Sequence, residues 1–188
     1  MYAMLWALVV GCSEPQPAGP PPSRVNAVKA TPKVADIEAF CDSRPDDMAL
    51  VLPPLDTPEP PDGPGWRWVN VWATWCGPCV AEMPMLATWR DKLVAKGVEV
   101  ELLFLSVDDT RAKVTRFEAE HPEAKGGVLI RDTTKDLEPW LPKVGLDSGV
   151  VLPVNLFADP SNQLRCIRTG AVADHDYPSV EALLAGQG

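Results

Sequence analysis

The most constraining feature of this sequence is a pair of cysteines, Cys76 and Cys79, separated by two residues. The run 68–73 just before them is apolar and rich in β-forming residues, which predicts a buried strand. Beyond them, apolar residues recur at helical spacing: Met83, Leu86, Trp89 and Leu93. We therefore expect a helix to begin near Cys76, and its first turn to bring the two cysteines together.

The position of Cys76 at the start of a predicted helix indicates a reactive thiol. Free backbone N–H groups and the positive end of the helix dipole stabilise a thiolate there, and such sites lower a cysteine pKa from about 8.5 to roughly 3.5–7.5. Because a thiolate attacks a disulfide sulfur, Cys76 is predicted to attack and Cys79 to resolve the mixed disulfide. Gly77 lets a partner approach closely, and Pro78 lacks an N–H that the first turn does not use.

Half of a zinc site is the alternative interpretation of the cysteine pair. Structural zinc takes four ligands, usually a second cysteine pair or two histidines. The other cysteines are scattered, and His121 and His175 lie far apart in the sequence. We therefore predict no metal site, and no cofactor other than a redox-active disulfide between Cys76 and Cys79.

The composition divides the chain into three parts. Of 21 prolines, 13 lie before residue 65, which predicts a proline-rich tether and irregular arm over 13–64 and a folded domain over 65–188. The formal net charge is −9, and no basic stretch is present, so a nucleic-acid partner is not expected.

Residues 1–12 are interpreted as a lipoprotein signal. The apolar run 5–10 is too short to span a bilayer, and the segment ending at Gly11 and Cys12 resembles a bacterial lipobox. Lipidation of Cys12 would anchor the domain on the extracytoplasmic, periplasmic face of a membrane. No basic residue precedes the run, so an apolar N-terminus with an incidental cysteine is the alternative.

The order of the remaining elements predicts an α/β sandwich with a mixed sheet. Apolar patterning and breakers indicate a strand over 98–107, a helix over 110–120, a short strand over 128–130, a broken helix over 133–144, a hairpin of strands 154–158 and 164–169, and a helix over 179–184.

Residues 69–84, VNVWATWCGPCVAEMP, closely resemble the active site of the TlpA/ResA-like branch of the thioredoxin superfamily. The resemblance covers about residues 65–185. It implies a thioredoxin fold, in which helices flank a central mixed sheet, and the activity of a protein-disulfide oxidoreductase, here of the lipoprotein type.

The resemblance also assigns residues below and opposite the cysteines. Asn70 stands where thioredoxin has a buried acid, and Glu82 matches a glutamate implicated in proton handling beneath the disulfide. Burial would raise the pKa of Glu82 and let it accept the proton of Cys79; a solvated glutamate on a helix face is the alternative. Pro153 matches the family's cis-proline, which exposes the backbone of Leu152 to a bound peptide; an ordinary trans proline is the alternative.

Two tryptophans and two further cysteines complete the candidate residues. Both tryptophans flank the site: Trp75 is expected to shape the docking surface beside the disulfide, and Trp72 to be a structural residue near it. Cys166 lies within a predicted strand and Cys41 in the arm. A bridge between them, stapling the arm to the sheet, is an open possibility in an oxidising compartment.

The function expected from these features is reduction of protein disulfides outside the cytoplasm. Partners implied by the resemblance are protein thiols and disulfides, with apocytochrome c and cytochrome c maturation as one option, and a membrane thiol donor. The Gly-Pro dipeptide favours reduction by analogy with thioredoxin. The alternatives are a thiol peroxidase and a non-enzymatic metal-binding or client-binding module.

Overall fold

One mixed sheet of five strands organises the domain. The computed structural model describes residues 35–61 and 63–186, and the strands lie in the order β3-β2-β1-β4-β5. The strands are β1 (Trp66–Trp72), β2 (Val100–Ser106), β3 (Val128–Leu129), β4 (Val154–Ala158) and β5 (Leu164–Thr169).

The central position of β1 follows from its composition. Its residues are buried along almost the whole strand, as expected of a strand that helices cover on both faces. It pairs in parallel with β2 and antiparallel with β4, while β4 and β5 form the predicted antiparallel hairpin. The predicted mixed sheet is therefore confirmed.

The helix that begins between the two cysteines is α2 (Gly77–Ala95), and its predicted buried face is confirmed. Met83, Leu86, Trp89 and Leu93 are all at most 1% exposed. Beyond the helix, Gly97 has a φ of 85°, a left-handed conformation that favours glycine and ends helices.

The other helices occur where the patterning predicts them. They are α3 (Arg111–Glu120), α4 (Glu138–Trp140) and α5 (Tyr177–Leu184). The broken helix predicted over 133–144 consists of a π-helical turn, α4 and a 3₁₀ turn in succession. Pro139 and Pro142 each lie in the first turn of their segment, where a missing N–H is tolerated.

The arm before the domain is ordered against the sheet. It begins with a one-turn helix, α1 (Ile37–Phe40), which the sequence analysis did not predict; the Asp36 side chain caps it by accepting from the Ala39 N–H. Val51 is 40% exposed, and its carbonyl accepts a hydrogen bond from Trp140 Nε1 at 2.6 Å. Isolated bridges pair the arm with residues in or beside both edge strands: Ser43 with Ile167, Ala49 with Gln163, and Leu55 with Ile130.

The bridge between Cys41 and Cys166 is formed. Their Cα atoms lie 5.3 Å apart, and 125 positions separate them in sequence. Cys166 is fully buried and Cys41 nearly so, so the disulfide fastens the start of the arm to the middle of β5.

The predictions for residues 1–12, including lipidation of Cys12, and for the tether up to residue 34 lie outside the described residues. Among the residues described, no helix has both the length and the apolar character needed to cross a bilayer.

The stapling disulfide generates a stability prediction. We expect the double variant Cys41→Ala/Cys166→Ala to lose about 4 kcal/mol of unfolding free energy, because a cross-link closing a loop of this size restricts the unfolded chain strongly. Urea unfolding of the oxidised proteins measures the difference. A loss below about 1 kcal/mol would show that the arm is held by its other contacts.

Candidate active site

Cys76 and Cys79 form a disulfide at the N-terminus of α2, as expected. Cys76 is the N-cap residue, and the backbone N–H of Cys79 donates to its Sγ at 3.3 Å. Cys76 is 6% exposed, whereas Cys79 is fully buried. Because the same N–H can stabilise a thiolate on Cys76 after reduction, the geometry suits attack by Cys76 and resolution by Cys79.

The surface around the disulfide is open and apolar. Gly77 and Pro78 are both exposed, and Trp75 is 67% exposed, as expected of a docking surface. Trp72, by contrast, is fully buried and packs on Phe117 at a ring-centroid distance of 4.9 Å. It supports the turn before the cysteines from within.

The Leu152–Pro153 peptide bond is cis, which confirms the expected isomer. Val154, the next residue, pairs with Val71 near the end of β1. The proline therefore lies at the end of the sheet where the chain leaves β1 and forms the cysteine turn. No hydrogen bond involves the backbone N–H or C=O of Leu152 within residues 35–61 and 63–186. Its backbone is therefore available to a bound chain, as the family position implies.

An apolar cavity of about 220 Å³ is lined by residues of both the cysteine turn and the loop before Pro153. Trp75 and Leu152 both line it, and Glu138 is the one charged residue among those that line it in the described chain. The two predicted docking residues thus share one concave surface beside the disulfide.

Glu82 is buried, which rules out the alternative of a solvated helix face. Its side chain accepts two hydrogen bonds of 2.9 Å, from Asn70 Nδ2 at Oε1 and from the Val172 N–H at Oε2. Burial raises the pKa of Glu82, although these hydrogen bonds act in the opposite direction. The carboxyl lies one helical turn after Cys79, on the buried side of α2.

Asn155 belongs to the same buried network, although it was not predicted from the sequence. Its Oδ1 accepts from Asn70 Nδ2 at 3.0 Å and from Trp68 Nε1 at 2.8 Å. A polar residue inside the apolar strand 154–158 was the available signal, since a buried amide needs hydrogen-bond partners. No feature of the sequence indicates that the backbone N–H of Val172 donates to Glu82.

No cluster of three or more Cys, His, Asp or Glu side chains in the described part of the chain is arranged to hold a metal ion. His121 stacks on Phe117 at the end of α3, and His175 lies in a short 3₁₀ turn before α5. Neither histidine hydrogen-bonds a cysteine in the described chain.

Comparison with known proteins agrees with this geometry. Residues 67–137, which include the cysteine pair and all of β1 except Trp66, match the Redoxin family model.

Two relatives of this chain bear names of one kind. The chain is 33% identical over 110 residues to the thiol-disulfide oxidoreductase ResA of Oceanobacillus iheyensis, covering 55% of this chain and 49% of the relative. It is 28% identical over 130 residues to the thiol:disulfide interchange protein DsbE homolog of Paracoccus denitrificans, covering 66% of this chain and 64% of the relative. The chain thus spans between about half and two thirds of the length of these relatives.

The fold has a close counterpart among solved structures. The thioredoxin-related protein from Neisseria meningitidis serogroup B superimposes with a TM-score of 0.51 at 28% identity, covering 64% of this chain and 85% of that one. The domain therefore has the thioredoxin-like fold that its sequence predicts.

The raised pKa of Glu82 leads to a pH prediction. The native protein keeps the Glu82 proton to higher pH than the unfolded chain, so this contribution to stability is fully present below the ordinary carboxyl pKa and is lost as the pH rises through the raised value. We expect the unfolding free energy of the oxidised protein to fall over this range, and to fall less in Glu82→Gln.

Urea unfolding at a series of pH values measures both proteins. Glu120→Gln, at the exposed C-terminal end of α3, is the matched control and should retain the wild-type dependence. The same fall in Glu82→Gln as in the wild type would assign the pH dependence to other groups.

Proposed function

We propose that this protein is a thiol–disulfide oxidoreductase that reduces disulfides of protein clients. The observation that carries the proposal is the Cys76–Cys79 disulfide at the N-terminus of α2, with the less buried sulfur at the N-cap. The cis-proline loop and the buried Glu82 support it, as do the names of the relatives.

The reaction begins from the reduced cysteine pair. The Cys76 thiolate attacks one sulfur of a client disulfide; the client S–S bond breaks and a mixed disulfide forms. The sulfur that leaves carries the electron pair of the broken bond and takes a proton from solvent. The first turn of α2 favours this step because it offers backbone N–H groups to the thiolate of the attacking residue.

The second step regenerates the intramolecular disulfide. Cys79 loses its proton and attacks the Cys76 sulfur; the mixed disulfide breaks, and the second client thiolate leaves with its electron pair and takes a proton from solvent. Glu82 is the proposed acceptor of the Cys79 proton, because it is buried one turn away and its raised pKa makes its carboxylate a stronger base. The client gains two electrons and two protons, and the protein is left oxidised.

The client is proposed to bind as an extended segment over the apolar surface beside the disulfide. Trp75 and the cavity lined by Leu152 would contact its side chains, and the unpaired backbone of Leu152 would hydrogen-bond to its main chain. Buried Pro153 holds that loop in place, since its carbonyl accepts from the Gly170 N–H at 2.8 Å.

The site of action is proposed to be outside the cytoplasm, on the periplasmic face of a membrane. The Cys41–Cys166 disulfide supports this location, because structural disulfides persist in oxidising compartments. The lipobox-like segment ending at Cys12 supports a lipid anchor. Re-reduction there requires a thiol donor in the membrane, and apocytochrome c is one protein client with the required cysteines.

Variants of the two cysteines test the activity. We expect Cys76→Ser to reduce insulin no faster than the uncatalysed background, because the attacking sulfur is gone. Cys79→Ser should instead accumulate a mixed disulfide with the client, since the resolving sulfur is missing. Turbidity and non-reducing gels measure these outcomes. The Cys41→Ala/Cys166→Ala protein is the matched control and should keep exchanging disulfides, whereas full activity in Cys76→Ser would exclude the proposed chemistry.

The direction of electron flow is tested by the equilibrium potential of the Cys76–Cys79 couple against glutathione. A protein that reduces clients should have a potential of about −200 mV or lower, in the range of thioredoxin and the glutaredoxins. A value near −120 mV, the range of a strong oxidant, would reverse the proposed direction.

A further inference from the structure

A second buried carboxylate lies on the other side of the cysteine turn, outside the network of Glu82. Asp108 follows β2 by two residues and is 1% exposed. Its Oδ2 accepts from the Thr74 N–H at 2.9 Å and from Ser106 Oγ at 2.8 Å, and its Oδ1 accepts from Thr74 Oγ1 at 2.7 Å. Both oxygens are therefore occupied by neighbouring donors.

The sheet topology explains why Asp108 meets the cysteine turn. Because β1 and β2 are parallel, with Trp72 opposite Ser106, both strands end at the same edge of the sheet. The Val107 N–H donates to the Trp72 carbonyl at 2.8 Å, which extends the pairing by one step. The chain that leaves β1 then passes directly beside Asp108.

The hydrogen bonds fix Thr74 in two ways at once. A buried carboxylate is costly unless donors satisfy it, and here Thr74 supplies two of the three donors, one from its backbone and one from its side chain. Ser106 is itself fully buried and also accepts from the Asp108 N–H at 3.0 Å. The orientation of the carboxylate is therefore set by β2, and Thr74 conforms to it.

Thr74 stands two residues before Cys76 in a short turn. The Cys76 N–H donates to the Ala73 carbonyl at 3.0 Å, so the turn closes around Thr74. Holding Thr74 fixes the direction in which the chain enters α2, and with it the N-cap position of the Cys76 sulfur.

We propose that Asp108 is a positioning residue for Cys76, acting through Thr74 to hold the attacking sulfur at the N-terminus of α2. The assignment to catalysis rests on the proposed function, but the effect on Cys76 does not. When this clamp is lost, the thiolate leaves its backbone donor for part of the time, and less thiolate forms at a given pH.

Alkylation of Cys76 by iodoacetamide tests the proposal in the reduced full-length protein. The rate is followed by mass spectrometry of the Cys76 peptide across a pH series, which gives the thiolate pKa without any disulfide substrate. Thr74→Val removes the hydroxyl donor and leaves the Asp108 charge in place, so it isolates the clamp from the electrostatic effect of the carboxylate.

At pH values below the thiol pKa, we expect Thr74→Val to be alkylated about fivefold more slowly than the wild type. This factor corresponds to the net free energy of one typical hydrogen bond. Thr74→Ser keeps both donors and should restore the wild-type rate. In a double-mutant cycle, Thr74→Val and Asp108→Asn should be non-additive, because each removes part of the same interaction.

Asp109→Asn is the matched control, because that carboxylate is exposed and pairs with Lys113 at 2.7 Å on the surface. It should leave Cys76 unchanged and be additive with Thr74→Val. A folded Thr74→Val protein with the wild-type Cys76 pKa, or additivity with Asp108→Asn, would overturn the proposal. Should Asp108→Asn not fold, the Thr74→Val and Thr74→Ser pair decides. If the wild type fails to reduce insulin, the proposed function fails while the alkylation result still stands.

Discussion

The hydrogen bond between Asn70 and Glu82 joins the central strand to the active-site helix directly below the cysteine pair. Both residues are almost completely buried, so the bond forms in a medium where an unpaired polar group is costly. It sets how closely α2 packs on the sheet. Asn155 of β4 and the N–H of Val172, which follows β5, belong to the same network. The disulfide depends on this arrangement, because both of its cysteines lie at the start of α2.

The features predicted from sequence are those that depend on short-range patterns. The start of α2 at the cysteine pair follows from an apolar strand, a helical repeat and Pro78 in the first turn. The hairpin of β4 and β5 follows from two apolar runs around a turn. Burial of Glu82 and the cis bond before Pro153 came from the family resemblance, since neither spacing nor composition distinguishes them from an exposed glutamate and a trans proline.

The features that were missed depend on residues far apart in the chain. Asp108 meets Thr74 only because parallel pairing of β1 and β2 aligns their ends, and a sequence does not give that register. Asn155 contacts Asn70 across two antiparallel strands. The arm's path could not be predicted either, because its prolines exclude regular structure without indicating where the irregular chain packs.

The arm also affects how the molecule meets other chains. Exposed sheet edges present unpaired N–H and C=O groups that invite pairing with further strands and aggregation. Here the arm hydrogen-bonds beside β5 through the Met48 carbonyl and at β3 through the Asp56 N–H, so one segment shields both edges. The backbone of Leu152, in the loop before Pro153, has no hydrogen-bond partner within the described domain. Under the proposed function, the covered edges would confine pairing with an extended client to the place where the sulfur chemistry occurs.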